Sequence, residues 1–553
     1  MHTRPPCVGL LHAVLTQFRL TQFRCRVTDV AAAVEHGDRE TTAGQAALTL
    51  GHGRAGFGRF PRGRSSNVNV SRPDTPRLRA AGLELRGLTF REMTSSASPI
   101  MPQLHSLASV TSSSRRRFLL SSAAAGLCLP AWSRSVHGAG SDRLRLASIG
   151  VGGMGASDLA SLSSHSRVEV VALCDVDSHR LAEAAKKHPS ARGFVDYRKM
   201  LSEMHDRIDA VQVSTPDHTH APATMTAIVQ GKHVYCQKPL THDVFESRQL
   251  RLSAAKANVV TQMGTQIHSH TAYRTAVKLV QSGVIGKVRE VHSWSNKTWG
   301  YDGPAPEPAT PPSHLDWNLW LGTAPERSYA ENQYHPANWR RWYDFGCGTM
   351  GDMAIHILDP VFSALKLGTP DRVISSSSAA PARSYGMQNH TRFQFAASEY
   401  TTSDFLLTWS DGGRMPDTSA WPVPVGKDGQ PGSLPDQGSM FVGAQGYVLL
   451  PHVAQPMLLP ADQFAKHEIN REPNGDHYHL FVDACLGGAP TTANFDYAGP
   501  LTEAVLLGVL ANRFPQQEMI WNAEAMKISN FAPASELIRR RYRQGFEVTE
   551  LSS

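Results

Sequence analysis

Residues 143–155 read RLRLASIGVGGMG, an alternating apolar strand that runs straight into Gly150-x-Gly152-x-x-Gly155. A helical stretch, SDLASLSSH, follows. Next comes VEVVALCDVD, a β-branched strand ending in Asp175, 20 residues past the last glycine. Few local patterns restrict a fold so tightly, because every part of this one answers to the same ligand geometry. The glycines permit a tight turn and let the backbone approach a pyrophosphate, which rests on the helix N-terminus. An acid at the end of the second strand accepts hydrogen bonds from both ribose hydroxyls and repels a 2′-phosphate, so NAD(H) is favoured over NADP(H). Gly150, Gly152, Gly153, Met154, Gly155 and Asp175 are the expected cofactor contacts of this segment.

The alternation continues. Helix SHRLAEAAKKH precedes the buried strand IDAVQVST, which ends in TPDHTH; helix APATMTAIVQGK leads to HVYC and QKP; DVFESRQLRLSAAKAN leads to VVTQMG. Strands alternating with helices imply a parallel, doubly wound α/β sheet. Ligands sit beyond the carboxyl ends of such strands. Both TPDHTH (Thr215, Pro216, His220) and Gln237-Lys238-Pro239 lie at that edge, so topology directs Lys238 at the cofactor crevice.

A chain of 553 residues exceeds one ordinary core, so two or more domains are expected. The formal charge of +7 is unevenly spread: residues 1–140 hold 18 arginines, no lysine and seven acids, leaving 37 basic and 41 acidic residues for the rest. The body therefore gives no electrostatic reason to expect nucleic acid or a membrane surface as partner. Seven cysteines (7, 25, 128, 174, 236, 347, 485) stand singly, without a CxxC pair, which argues against a disulfide framework and a thiolate zinc site. Within 112–140, three arginines precede an apolar run of about a dozen residues and then small residues, the order of an export signal. That run is too short for a permanent span. Arg115-Arg116 before Phe118-Leu119 resembles a twin-arginine signal, which implies a periplasmic destination.

The segments GVGGMG, CDVD, TPDHTH, CQKPL and, later, GDMAIHILD resemble the Gfo/Idh/MocA family of glucose–fructose oxidoreductase, inositol dehydrogenase and rhizopine-catabolism proteins, from residue 141 to the end. The resemblance implies a Rossmann domain followed by an α/β domain with a large, mostly antiparallel sheet. It also implies NAD(P)-dependent chemistry on a sugar or cyclitol, and assembly as a homo-dimer or tetramer. The expected organisation is an extension or misassigned start (1–100), an export signal (101–140), a Rossmann domain (141–265) and a substrate and oligomerisation domain (266–553). By the same resemblance Lys238, Asp352 and His356 match the family's catalytic Lys and Asp-x-x-x-His pair. Thr215, Pro216, Gln237 and Lys238 border the cofactor, and His220 lies near the nicotinamide end. The family tripeptide is commonly Glu-Lys-Pro, so Gln237 departs from it and places a neutral amide beside Lys238.

Asp352 and His356 are spaced i, i+4, which puts them on one helix face. Oxidising an alcohol needs a hydride path and a base for the hydroxyl proton, and histidine suits the second task. Six of the ten tryptophans fall between 294 and 342, beside an arginine pair, so Tyr334, Trp339 and Arg340 are candidates for stacking on and hydrogen-bonding to a sugar. The histidine pairs 218/220, 268/270 and 477/479 lack a third ligand at zincin-like spacing, and no metal site is expected. Three functions remain open: a sugar or cyclitol dehydrogenase, a redox-neutral glycoside hydrolase that keeps NAD bound, and a non-catalytic sugar-binding protein.

Overall fold

The computed structural model describes residues 142–552 apart from 382, 423 and 425–431. The expected extension (1–100) and export signal (101–140) lie outside these residues. Among the described residues no helix is long and apolar enough to cross a membrane.

The first sheet comprises β1 (Leu144–Ile149), β2 (Val168–Cys174), β3 (Arg192–Phe194), β4 (Ala210–Val213), β5 (His233–Cys236) and β6 (Thr261–Met263), in the order β3-β2-β1-β4-β5-β6. Every pairing in it is parallel. Its central strands are buried almost end to end, because crossover helices cover both faces. Those helices are α1 (Met154–Ser163), α2 (Ser178–Lys187), α3 (Tyr197–Glu203), α4 (Asp217–Val229) and α5 (Val244–Ala257). Side chains set their starts: Asp177 caps α2, and Asp243 with Glu246 forms a capping box on α5. α1 starts differently. Gly153 offers no side chain there, so the first turn presents bare N–H groups at the switch point between β1 and β4.

The rest of the chain adds α6 (Thr271–Gln281), β7 (Val288–Ser295), a long irregular segment, and α7 (Asp359–Leu365). Eight further strands follow: β8 (Arg372–Ser377), β9 (Asn389–Gln394), β10 (Thr401–Ser410), β11 (Gln437–Gly443), β12 (Tyr447–Pro451), β13 (Met457–Leu459), β14 (Met519–Asn522) and β15 (Lys527–Ile528). They join β7 in a nine-stranded sheet ordered β13-β12-β11-β7-β10-β9-β8-β14-β15. Only the β7–β10 pairing is parallel; the others are antiparallel.

Two helices of the segment expected as a separate domain, α8 (His477–Cys485) and α9 (Phe495–Ala511), return to the first sheet. α8 lays Phe481 and Val482 into the cluster around Tyr235 of β5. α9 is buried at 14 of its 17 positions, which it can only be by packing between α5 and the large sheet. Arg248 of α5 grips Glu503 of α9 through two hydrogen bonds of 2.7 Å, joining the two layers.

Candidate active site

The carboxyl ends of β1, β2, β4 and β5 open on one cleft of about 620 Å³, and its far wall comes from Lys297, Trp320, His335, Trp339, Arg340, Asp352, His356 and His452. At one end lies the glycine turn. Gly150 has φ +81°, and a Cβ there would stand 2.5 Å from the Ser214 carbonyl oxygen. A Cβ on Gly155 would stand 2.0 Å from the Gly150 carbonyl, so α1 can approach β1 only without one. Gly152, Gly153 and Met154 line the cleft beside them. Asp175 accepts the Val151 and Asp177 N–H groups, at 2.9 Å each. Burial raises its pKa against those hydrogen bonds. Each carboxyl oxygen keeps a lone pair for a ribose hydroxyl. A cradle that only glycine allows, an uncapped helix N-terminus and an acid so placed fit a dinucleotide.

Thr215, Pro216, His220, Gln237 and Lys238 line the same cleft. His220 sits between the Thr215 and Pro239 carbonyls, 2.8 Å from each, and its one N–H donates to one of them at the β4 and β5 exits. Burial pushes its pKa down to about 4.

At the other end, Lys238 Nζ lies 2.7 Å from Asp352 Oδ1 and 2.9 Å from the Asp352 carbonyl. Arg340 Nε reaches the same Oδ1 at 3.2 Å, and Trp299 Nε1 donates to Oδ2 at 2.7 Å. Burial opposes charge on Asp352, but the Lys238 and Arg340 cations outweigh it and hold the carboxyl well below its usual range. Burial, seconded by the Lys238 charge, pushes His356 well below its ordinary value, so the ring is neutral. Among the described residues its buried Nδ1 has no hydrogen-bond partner. The i, i+4 spacing of Asp352 and His356 spans a junction rather than one regular helix: Asp352 lies in a π-helical turn, Met350–Ala354, and His356 in the α-turn after it. Such turns recur at functional sites because they re-aim side chains.

Several expectations are corrected. Gln237 does not turn its amide toward the Lys238 ammonium; it donates to both oxygens of the buried Asp158, at 2.9 and 3.1 Å. Tyr334 does not line the cleft. It is buried in an aromatic cluster with Trp317, Trp342 and Phe345, whose mutual packing satisfies it. Trp339 and Arg340 do line the cleft, with the guanidinium 4.2 Å from the Trp339 ring centre. The histidine pairs lie in helices, turns and caps, so i and i+2 diverge there. Among the described residues one group close enough to hold a metal is Asp177, His179 and His314; Asp177 there also caps α2 and contacts Arg180 and His335.

Sequence reasoning missed Asp217, Lys297 and His452, and marked Trp299 only as one of six clustered tryptophans. Burial raises the Asp217 pKa to about 7. His452 lines the cleft with its ring 6.2 Å from that of His356, and its Nδ1 lies 2.7 Å from the Tyr273 hydroxyl. Asp217 lay within a motif already singled out. Lys297 and His452 carry no local signal, because single residues on separate loops meet only when the large sheet forms.

Residues 144–265 match the model of an oxidoreductase family with an NAD-binding Rossmann fold, and residues 269–384 match that family's C-terminal α/β domain. The levoglucosan dehydrogenase of Pseudarthrobacter phenanthrenivorans is 25% identical over 217 residues, covering 37% of this chain and 48% of that protein. The inositol 2-dehydrogenase of Corynebacterium glutamicum (strain R) is 30% identical over 150 residues, 27% of this chain and 44% of that protein. The chain thus spans about half the length of the curated relatives it matches. The WlbA dehydrogenase of Chromobacterium violaceum, solved with NADH and UDP-GlcNAcA, superposes with a TM-score of 0.50 at 16% identity, over 69% of this chain and 97% of that one, a likeness of fold.

Proposed function

Because this chain belongs, through residues 144–265 and 269–384, to the Gfo/Idh/MocA oxidoreductase family, we propose that it is an NAD-dependent oxidoreductase acting on a hydroxyl of a sugar or cyclitol. One observation carries the reading: Lys238, Asp352 and His356 converge in the cleft that the glycine turn opens. The names of the levoglucosan and inositol dehydrogenases support the choice of substrate class.

NAD supplies, when bound, the hydride acceptor. His356 is neutral and lines the cleft, so it takes the hydroxyl proton as the C–H hydride departs. Lys238 spends two of its three N–H donors on Asp352, which leaves one for the substrate oxygen and its developing charge. Asp352, held as an anion, fixes Lys238 and offsets part of the positive charge that His356 acquires. The Asp175 carboxylate favours NAD over NADP.

The finer readings rest on sequence. The order of charge, apolar run and small residues in 112–140 supports twin-arginine export to the periplasm, and the family resemblance supports a homo-dimer or tetramer.

Incubating the purified protein with NAD and a panel of sugars, inositols and aryl glycosides tests the proposal, with NADH absorbance followed beside product release. NADH formed in step with a keto product is the expected result. Glycoside cleavage without net NADH would replace it with the redox-neutral hydrolase, and sugar binding without turnover would leave a binding protein.

A further inference from the structure

The substrate end of the cleft carries more positive charge than a neutral sugar can use. Lys238, Lys297 and Arg340 all line it. The acids facing them are Asp352, already shared by Lys238 and Arg340, and Asp217, whose pKa burial raises to about 7. The other lining acids, Asp175 and Asp196, belong to the opposite end, where Asp196 pairs with Arg198 at 2.7 Å.

Two of the three cations have donors to spare. Lys297 follows the end of β7, with its backbone pinned by Ser295 Oγ and the Gly412 N–H. Among the described residues its ammonium has no hydrogen-bond or ion-pair partner. Its charge still reaches the cleft, because it lowers the pKa of both His356 and His452, after burial and Lys238 or beside them. Arg340 is fixed by its stacking on Trp339 at 4.2 Å and on Trp299 at 5.2 Å. Its Nε is committed to Asp352 and its Nη1 to the Ala337 carbonyl, and among the described residues Nη2 has no hydrogen-bond partner. A guanidinium anchored beside two indoles, with one nitrogen unspent among the described residues, loses little entropy on meeting an oxyanion. Covering these groups with a neutral sugar would desolvate two cations and return no counter-charge.

We propose that the substrate is a sugar or cyclitol bearing an oxyanion substituent (a carboxylate, or a sulfate or phosphate ester), which Lys297 and the free edge of Arg340 bind. This rests on the oxidoreductase reading above and names its substrate class. Lys297 acts in binding, outside the proton and hydride steps.

The test compares matched pairs on the full-length protein with NAD: glucose and galactose against their uronates, their 6-sulfates and their 6-phosphates. Initial rates come from NADH absorbance, and NADH binding is followed separately by tryptophan fluorescence. The expected result is a higher kcat/KM for at least one anionic partner, with the uronate and ester arms showing which oxyanion fits. Lys297→Met should raise KM for that substrate about 10–100-fold, the range for a hydrogen bond to a charged group, and move kcat little. Lys297→Arg should keep most of the preference. Equal or better use of the neutral sugars by the parent, or an anionic-to-neutral ratio unmoved in Lys297→Met, overturns the inference and leaves the oxidoreductase standing. No turnover of any pair, or of the wider panel of sugars and inositols, with NADH binding intact removes the oxidoreductase reading itself.

Discussion

Gln237 is where a family motif and its structural surroundings disagree, and Gln237→Glu restores the commoner residue. The amide now donates to Asp158 at 2.9 and 3.1 Å, with Gln237 4% and Asp158 0% exposed. Ser214 Oγ and the Tyr478 hydroxyl also donate to Asp158, so this carboxylate is supplied with donors on every side. A glutamate would replace one donor with a second carboxylate. At about 3 Å and an effective dielectric near 20, two unit charges repel by roughly 5 kcal/mol, or nearly 4 pH units. That is an upper figure, since side chains will move apart. The pair therefore keeps one shared proton when folded that the unfolded chain releases near pH 4. The folded pKa is raised, so stability falls as pH rises from about 4 toward 8, by about 1.4 kcal/mol per unit while the proton is held. Urea unfolding of parent and variant at several pH values from 5 to 8 reads this directly. The gap between them should widen by a few kcal/mol across that range. It should close again in the double variant Asp158→Asn/Gln237→Glu, where donor and acceptor have changed places. A gap that is constant with pH, or that the double variant leaves open, would refute the reasoning.

Three further outcomes are expected. His356→Ala should lower kcat by about 10²–10⁴-fold, the range for a lost general base, with NADH binding unchanged by fluorescence; full turnover would remove its role. Burial holds the Asp217 pKa up at about 7, so this group costs stability as pH rises from about 4 through 7. Asp217→Asn should flatten that slope by about one proton, seen in unfolding free energies at pH 5 and 8, while other carboxyls raised by burial, Asp411, Asp158 and Asp175 among them, keep the remainder. Arg248→Met strands the buried Glu503 carboxylate, whose side chain is 1% exposed, and should cost about 3–5 kcal/mol by urea unfolding. Adding Glu503→Gln should recover most of it.

What could be read from the chain, and what could not, divides by the range of the interactions involved. The glycine turn, Asp175 and the parallel order are written within single βα units, where each residue's task is set by its near neighbours. The large sheet was expected from the family resemblance, whereas the return of α8 and α9 to the first sheet is a long-range event with no local marker. Tyr334 shows the limit for aromatics: a ring that stacks on a ligand and a ring that packs in a cluster have the same composition around them. Lys297 and His452 lie on loops that meet only because β7, β11 and β12 are neighbours.

Gln237 is the most instructive case, because the motif picked out the right residue and assigned it the wrong neighbour. Read along the chain, its neighbour is Lys238, and loss of a glutamate looks like loss of a counter-ion for catalysis. In the fold its neighbour is Asp158, 79 residues away on α1. A carboxylate at 158 and an amide at 237 form one complementary pair, so glutamine at 237 follows from aspartate at 158. The Lys238 ammonium finds its counter-ion elsewhere, in Asp352 at 2.7 Å. The departure at 237 thus leaves the Lys238–Asp352–His356 arrangement intact, and its consequence falls on the packing of α1 and α8 behind the cofactor cleft.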